Sequence, residues 1–221
     1  MTLTELQSMV RYLTKEPNPS APVFATDARV KQFANLAQQE IAMRTKANIS
    51  SNVPNSVSNP SLSTVAGQRL YDFPSDCLEL LKVQVSVWVC KRMSVDEYVQ
   101  ATGVQAWQMT GNPYAYWIEK KSTASFGLFF TPQAVYPIAL WYVRKPTDLS
   151  NGSDTPDLPP LLNNAIVYWV CEKVMEGRRE MNFKSGYWMK QYEAEIAKYN
   201  LNADQSMEKM NFLGEIPASS D

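Results

Sequence analysis

Leu161-Leu-Asn-Asn-Ala-Ile-Val-Tyr-Trp-Val-Cys-Glu-Lys-Val-Met175, wound at 3.6 residues per turn, is apolar on nearly every face through Leu162, Ala165, Ile166, Val167, Trp169, Val170 and Val174. Such a helix must be covered on more than one side, so it marks the centre of a core. Pro159 and Pro160 precede it, where a first helical turn has no intrahelical bond to lose. A second apolar series follows, with Asn182 as its cap and Phe183, Tyr187, Trp188, Tyr192, Ile196 and Tyr199 at helical spacing between Lys184, Lys190, Glu193 and Lys198. The few residues between the two series make a hairpin of helices near 159–177 and 183–200. Arg178 and Arg179 in that turn are candidates to cover a helix C-terminus or to meet a partner's carboxylates.

Towards the N-terminus, Thr2-x-x-Glu5 is a capping box before Leu3, Leu6, Val10 and Leu13, and Pro17, Pro19 and Pro22 forbid continuation. Thr26 or Asp27 caps a helix over 27–46 whose stripe is Val30, Phe33, Ala34, Ala37 and Ile41. Residues 48–68 are then dominated by Asn, Ser, Pro and Val, with no sustained period. They read as an arm that gains order outside its own subunit, with Val53, Val57, Leu62 and Val65 as inter-subunit contacts.

Residues 69–145 carry period-two signals. Leu81, Val83, Val85, Val87 and Val89 alternate with Lys82, Gln84, Ser86 and Trp88, and similar alternation recurs near 114–119, 126–130 and 136–143. Ser94-x-x-Glu97 starts a short helix that Gly103 stops. The remaining strand signals are joined by short turns, which predicts an antiparallel sheet with Pro137 at an edge or a strand start. Residues 201–221 read as an extended docking tail carrying Met207, Met210, Phe212, Leu213 and Ile216.

The expectation is therefore an α+β chain: a helical bundle with an antiparallel β insertion and extended arms. Its parts are N-terminal bundle helices (1–47), a polar arm (48–68), the β insertion with its short helix (69–145), a helical hairpin completing the bundle (146–200) and the tail (201–221).

Twenty-one Lys+Arg against twenty-two Asp+Glu give a formal charge of -1, so no positive field holds nucleic acid nonspecifically. The absence of histidine removes Ser-His and Cys-His nucleophiles and His-ligated metal sites. Cys77, Cys90 and Cys171 form no C-x-x-C pair and read as buried small hydrophobes in a chain made in a reducing compartment. The carboxylate pairs Asp76/Glu79, Asp96/Glu97, Glu172/Glu176 and Glu193/Glu195 fit turns, a helix first turn and solvated faces better than acid–base or metal chemistry. No glycine-rich phosphate loop occurs, Met1-Thr-Leu-Thr-Glu5 lacks the flank of an export signal, and no apolar run approaches about 18 residues. Catalysis, cofactor, metal and membrane are accordingly not expected. A different class, a module recognising carbohydrate or single-stranded nucleic acid, rests on Tyr114, Tyr116, Trp117, Trp141 and Tyr142, near the basic doublets Lys91-Arg92, Lys120-Lys121 and Arg144-Lys145.

Several landmarks carry a resemblance when taken in order: the Thr2-Leu-Thr-Glu-Leu-Gln7 helix, Phe33-Ala-Asn-Leu-Ala-Gln-Gln-Glu-Ile-Ala42, Tyr71-Asp-Phe-Pro-Ser-Asp76, Gly111-Asn-Pro-Tyr114, Phe130-Thr-Pro132, Tyr142-Val-Arg-Lys-Pro146 and Asp157-Leu-Pro159. Their succession over residues 1–200 resembles the head-to-tail adaptor, or connector, proteins of tailed bacteriophages. The resemblance implies a non-enzymatic virion structural protein made in the host cytoplasm and located in the neck. It implies a homo-oligomeric, dodecameric ring below the portal protein, docking the next tail or nozzle protein and extending a channel through which DNA passes without sequence recognition. The arm residues and tail residues named above would then reach neighbouring subunits, portal or tail.

Overall fold

The Thr2 hydroxyl accepts the Glu5 amide at 3.2 Å while the Glu5 carboxylate accepts the Thr2 amide at 2.8 Å, and this capping box starts the first helix. In the computed structural model, which describes residues 1–16, 18, 20–52, 62–103, 109–120, 124–176 and 186–214, the helices are α1 (Leu3–Leu13), α2 (Asp27–Thr45), α3 (Val95–Thr102), α4 (Asn163–Glu176) and α5 (Tyr187–Gly214). The chain divides into two compact units, one formed by Met1–Asn48 with Pro146–Asp221 and the other by Ile49–Lys145.

In the first unit, α4 packs against α1, α2 and α5. Its Ala165, Ile166, Val167, Val170, Cys171 and Val174 are buried with Leu3, Leu6 and Val10 of α1, Val30, Ala34 and Ile41 of α2, and Tyr192 and Ile196 of α5. Each large aliphatic so placed contributes roughly 1.5–3 kcal/mol. The loops around this core are bonded to it through side chains. Buried Glu16 accepts the amides of Val23, Phe24 and Ala25 at 3.0, 3.3 and 3.0 Å. Asn35 on α2 donates to the Leu149 carbonyl and accepts the Leu149 amide at 3.2 and 2.8 Å, and Gln38 accepts the Asp157 amide at 2.9 Å. The loop so fixed returns to α1: Leu3 N donates to the Asp154 carbonyl, and Thr4 N and Oγ1 donate to the Gly152 carbonyl. These α1 amides belong to a first turn, which has no intrahelical partners. Glu172 performs the same service for α5, accepting the amides of Gly186 and Met189 at 2.9 and 3.3 Å.

The second unit is built on strands β1 (Ile49–Asn52), β2 (Leu62–Ser63), β3 (Leu70–Asp72), β4 (Cys77–Val85), β5 (Trp88–Arg92), β6 (Thr110–Gly111), β7 (Ala115–Lys120), β8 (Ala124–Phe129), β9 (Thr131–Pro132) and β10 (Pro137–Arg144). Eight of them make one curled sheet in the order β1-β10-β4-β5-β7-β8-β3, with β2 also on β10, while β6 and β9 pair separately. The curl brings Tyr71 of β3 and Ile138 of β10 into one cluster with Val83, Cys90, Phe126 and Leu128. Tyr98 of α3 covers another cluster, stacked on Phe129 with centroids 4.2 Å apart.

These observations correct the expected helical bundle with an antiparallel insertion. The sheet is large, has its own core and is mixed: β5 and β7 pair in parallel, as do β6 and β9. The physical reason is the short helix, because a parallel pair needs a crossover and α3 supplies it between β5 and β7. The expected arms are corrected as well. Ile49–Asn52 and Leu62–Ser63 pair with β10, so Leu62 packs against its own subunit's sheet core, whereas Val65 stays exposed. Val53 and Val57 lie outside the described residues. The tail expected to be extended from residue 201 is instead helical to Gly214.

Gly127 sits opposite Trp117 in the β7–β8 pair, and a Cβ there would meet the indole at 2.0 Å. Gly127→Ala should therefore cost about 1–3 kcal/mol through overpacking, read as a lower urea midpoint, and a Trp117→Leu background should restore part of the loss.

Candidate functional site

One carboxylate of each pair that spacing offered for acid–base chemistry is occupied by structural work. Glu172 caps α5. Glu97 accepts the Ser94 amide at 2.6 Å at the start of α3, and this bond holds its carboxyl below the usual range. Asp76 accepts the Tyr142 hydroxyl at 3.2 Å and, through its carbonyl, the Lys145 amide at 2.7 Å. Arg44 donates to both Glu193 carboxylate oxygens at 2.7 and 2.8 Å while its own guanidinium lies 5.3 Å from the Tyr192 ring centroid, and the Glu193 bond raises the Arg44 pKa. Among the described residues no group of three or more Cys, Asp or Glu is placed to hold a metal ion. No helix of the described residues is long and apolar enough to cross a membrane.

The thiols are separate. Burial pushes Cys77 and Cys90 up to about 11 and Cys171 up to about 12, with Asp76 and Glu79 adding to the effect at Cys77 and Glu172 at Cys171. A group held that far above neutrality is a thiol rather than a nucleophilic thiolate at pH 7.

The five rings proposed as a stacking platform are not on one exposed face. Tyr116 and Tyr142 are buried in the sheet core. Trp117 lies 4.5 Å from Phe129, Trp141 lies under the Lys82 ammonium, and Tyr114 sits edge-on to Phe130. The first unit carries a different set of rings and exposed apolar side chains. Arg29 lies over Phe33, Phe33 meets Trp169 edge-on, and Lys173 lies over Trp169, with the two rings half-buried. Met9 and Tyr12 of α1 and Leu36 and Met43 of α2 are exposed.

Of the residues expected to meet partners, Met207, Met210, Phe212 and Leu213 fall within α5. Ile216, Arg178 and Arg179 lie outside the described residues. Sequence reasoning missed Asn35 and Gln38, whose amides fasten residues 147–157, because an amide on a helix has the same pattern as any solvated polar face.

Compared with protein families, the chain matches the SU10 adaptor protein model over residues 1–211. The chain belongs to the SU10 adaptor protein family. The match runs through both structural units, so a single family assignment covers the helical part and the sheet alike. The family is one of phage adaptor proteins, in agreement with the resemblance carried by the ordered landmarks. No curated protein matches the chain.

Raised thiol pKa values carry a sign. Between pH 9 and 12 the folded chain keeps protons that the unfolded chain releases, so stability is full below pH 9 and falls as pH rises through the folded values. Burial raises Tyr71, Tyr116, Tyr142 and Tyr192 in the same direction. The thermal midpoint should be flat to about pH 9 and then drop, and Cys171→Ala should flatten part of the drop.

Proposed function

We propose that the chain is the head-to-tail adaptor of a tailed phage, assembling as a ring beneath the portal, extending the DNA channel and docking the next tail component. The observation that carries this reading is the family match over residues 1–211. Two physical features support it. The first unit presents exposed Met9, Tyr12, Leu36 and Met43 on helices fixed by their loops, a surface suited to repeated protein contacts. The formal charge of -1 supports a lumen in which DNA slides without the counterion release that makes basic channels adhesive.

In this reading the end of α5, with Met207, Met210, Phe212 and Leu213, and the residues beyond it with Ile216 form the portal-docking tail. Arg178 and Arg179, which lie between α4 and α5 in the sequence, add charged contacts, and Val53, Val57 and Val65 meet the neighbouring subunit, while Leu62 stays on its own sheet. Repetition around a ring makes modest individual contacts cumulative through effective concentration.

Mixing the purified chain with its phage's portal protein and examining the product by electron microscopy and native mass spectrometry tests the proposal. The expected product is a closed ring of this chain on the portal, and a chain that stays monomeric with portal present would refute it. A chain ending at Ala203 retains Tyr192 and Ile196, the buried anchors of α5, so it should fold with an unchanged melting midpoint yet fail to co-sediment with portal.

A further inference from the structure

The sheet of the second unit is open along part of β7. β5 runs beside β7 only as far as Arg92 and Tyr116, and its last bond there is Met93 N on the Tyr116 carbonyl at 2.9 Å. β7 itself stays paired with β8 to Lys120. The chain leaves β5 at Ser94 to start α3, so among the described residues only β8 flanks residues 117–120. Successive residues of a strand send their backbone groups to opposite sides, and the Tyr116 carbonyl faces β5, so the Ile118 amide and carbonyl face the open side too. A cleft of about 450 Å³ lies at this place, lined by Arg92, Met93, Val95, Glu97, Trp117 and Ile118.

A second opening lies at β3, which ends the strand order. Leu128 donates its amide to the Arg69 carbonyl at 3.0 Å and Tyr71 pairs with Phe126, so residues 69 and 71 face β8 and the backbones of Leu70 and Asp72 face outward. The Leu70 carbonyl accepts the Gln68 side-chain amide at 2.8 Å, which leaves the Leu70 and Asp72 amides as the donors of that edge. Both side chains are exposed, Leu70 at 39%.

The two openings are complementary. In the cleft Met93, Val95 and Trp117 are partly buried hydrophobics, and the Glu97 carboxylate is taken by the Ser94 amide, which leaves the exposed Arg92 as the unpaired charge. The β3 edge offers an aliphatic side chain and a carboxylate two residues apart, hence on one face. Neither Arg92 nor Asp72 forms an ion pair among the described residues. The length fits as well, since residues 117–120 span roughly 13 Å at 3.3 Å per residue and accommodate a strand the length of β3. Already paired with β8, β3 cannot reach the far side of β7 in its own unit. An open strand edge is a template for a strand from another chain, and joining two different surfaces of one unit links copies head to tail, the arrangement that closes into rings.

We propose that β3 of a second copy enters the cleft beside β7 and extends the sheet there, with Asp72 of the partner subunit meeting Arg92 and Leu70 of the partner subunit meeting Met93 and Val95. This contact deepens the ring reading and rests on it for the presence of a second copy; the fit of one edge to the other rests on the second unit alone.

The test measures association of the full chain, alone by sedimentation equilibrium and on portal protein by native mass spectrometry, as wild type, Arg92→Glu, Asp72→Arg and the double variant. Each single reversal sets like charges together and should weaken association between copies by about tenfold or more. The double variant, or an equimolar mixture of the two single variants, should return it to within about threefold of wild type, because opposite charges then meet at every contact. In the wild type, hydrogen exchange at the Leu70 and Ile118 amides should slow by about 100-fold on association. Association untouched by the single reversals, absence of restoration, or unslowed exchange at both amides would each overturn the proposal. Circular dichroism melts check folding, and the wild-type exchange rates decide if a variant is unfolded. A ring that forms regardless of both reversals refutes this contact and leaves the ring reading standing, whereas a wild-type chain that stays monomeric on portal refutes the ring reading itself.

Discussion

Backbone amides removed from water must find acceptors, and the first unit depends on a few side chains that provide them. Glu16, Asn35, Gln38 and Glu172 are all wholly or partly buried, and each bonds main chain from another segment. Removing such a partner leaves a buried donor unsatisfied, which costs roughly 1–3 kcal/mol, comparable to losing a large core side chain. The helices pack by apolar burial, but their relative placement within the unit is specified by these polar bonds. Asp154 repeats the device at the surface, where the amides of Asn151 and Ser150 hold its carboxyl below the usual range.

Much of the helical structure was legible locally. Thr2 with Glu5 and Ser94 with Glu97 are capping boxes in the sequence and in space, and the α4 sequence, apolar all round, is the helix that touches α1, α2 and α5. The sheet was legible as strands but not as a topology. Alternation reports that one face of a strand is buried and says nothing about which strand lies beside it, so the parallel β5–β7 pair was hidden. The end of α5 was misjudged for a related reason. From Leu201 the apolar stripe lapses, yet residues 201–214 contain no proline and no glycine before Gly214, and Ala, Met, Glu, Lys and Leu have the intrinsic propensity to continue the helix. Ile49–Asn52 is too short to show any period, and only β10 makes it a strand.

The candidate site was less legible than the fold, and the reason is chemical. An enzyme declares itself through unusual residue types at fixed spacing, whereas a structural adaptor works through ordinary aliphatic and aromatic side chains whose role depends on exposure. Val87 and Val89 both belong to an alternating run that reads as one strand. In space Ser86, with φ 53°, makes a turn that leaves Val87 at the tip.

The second unit interrupts the sequence of the first, and this constrains the order in which the chain can fold during synthesis. α1 and α2 emerge first, yet the carbonyls of Gly152 and Asp154 that receive the α1 amides, and the α4 side chains that cover Leu6 and Val10, emerge only after the whole sheet. The sheet unit is contiguous in the chain, so all of its strands are available before α4 is made. The first two helices wait with their greasy stripes incompletely covered, so the interval of greatest risk for chaperone capture or clumping falls between the birth of residue 45 and that of residue 196, the last buried anchor of α5.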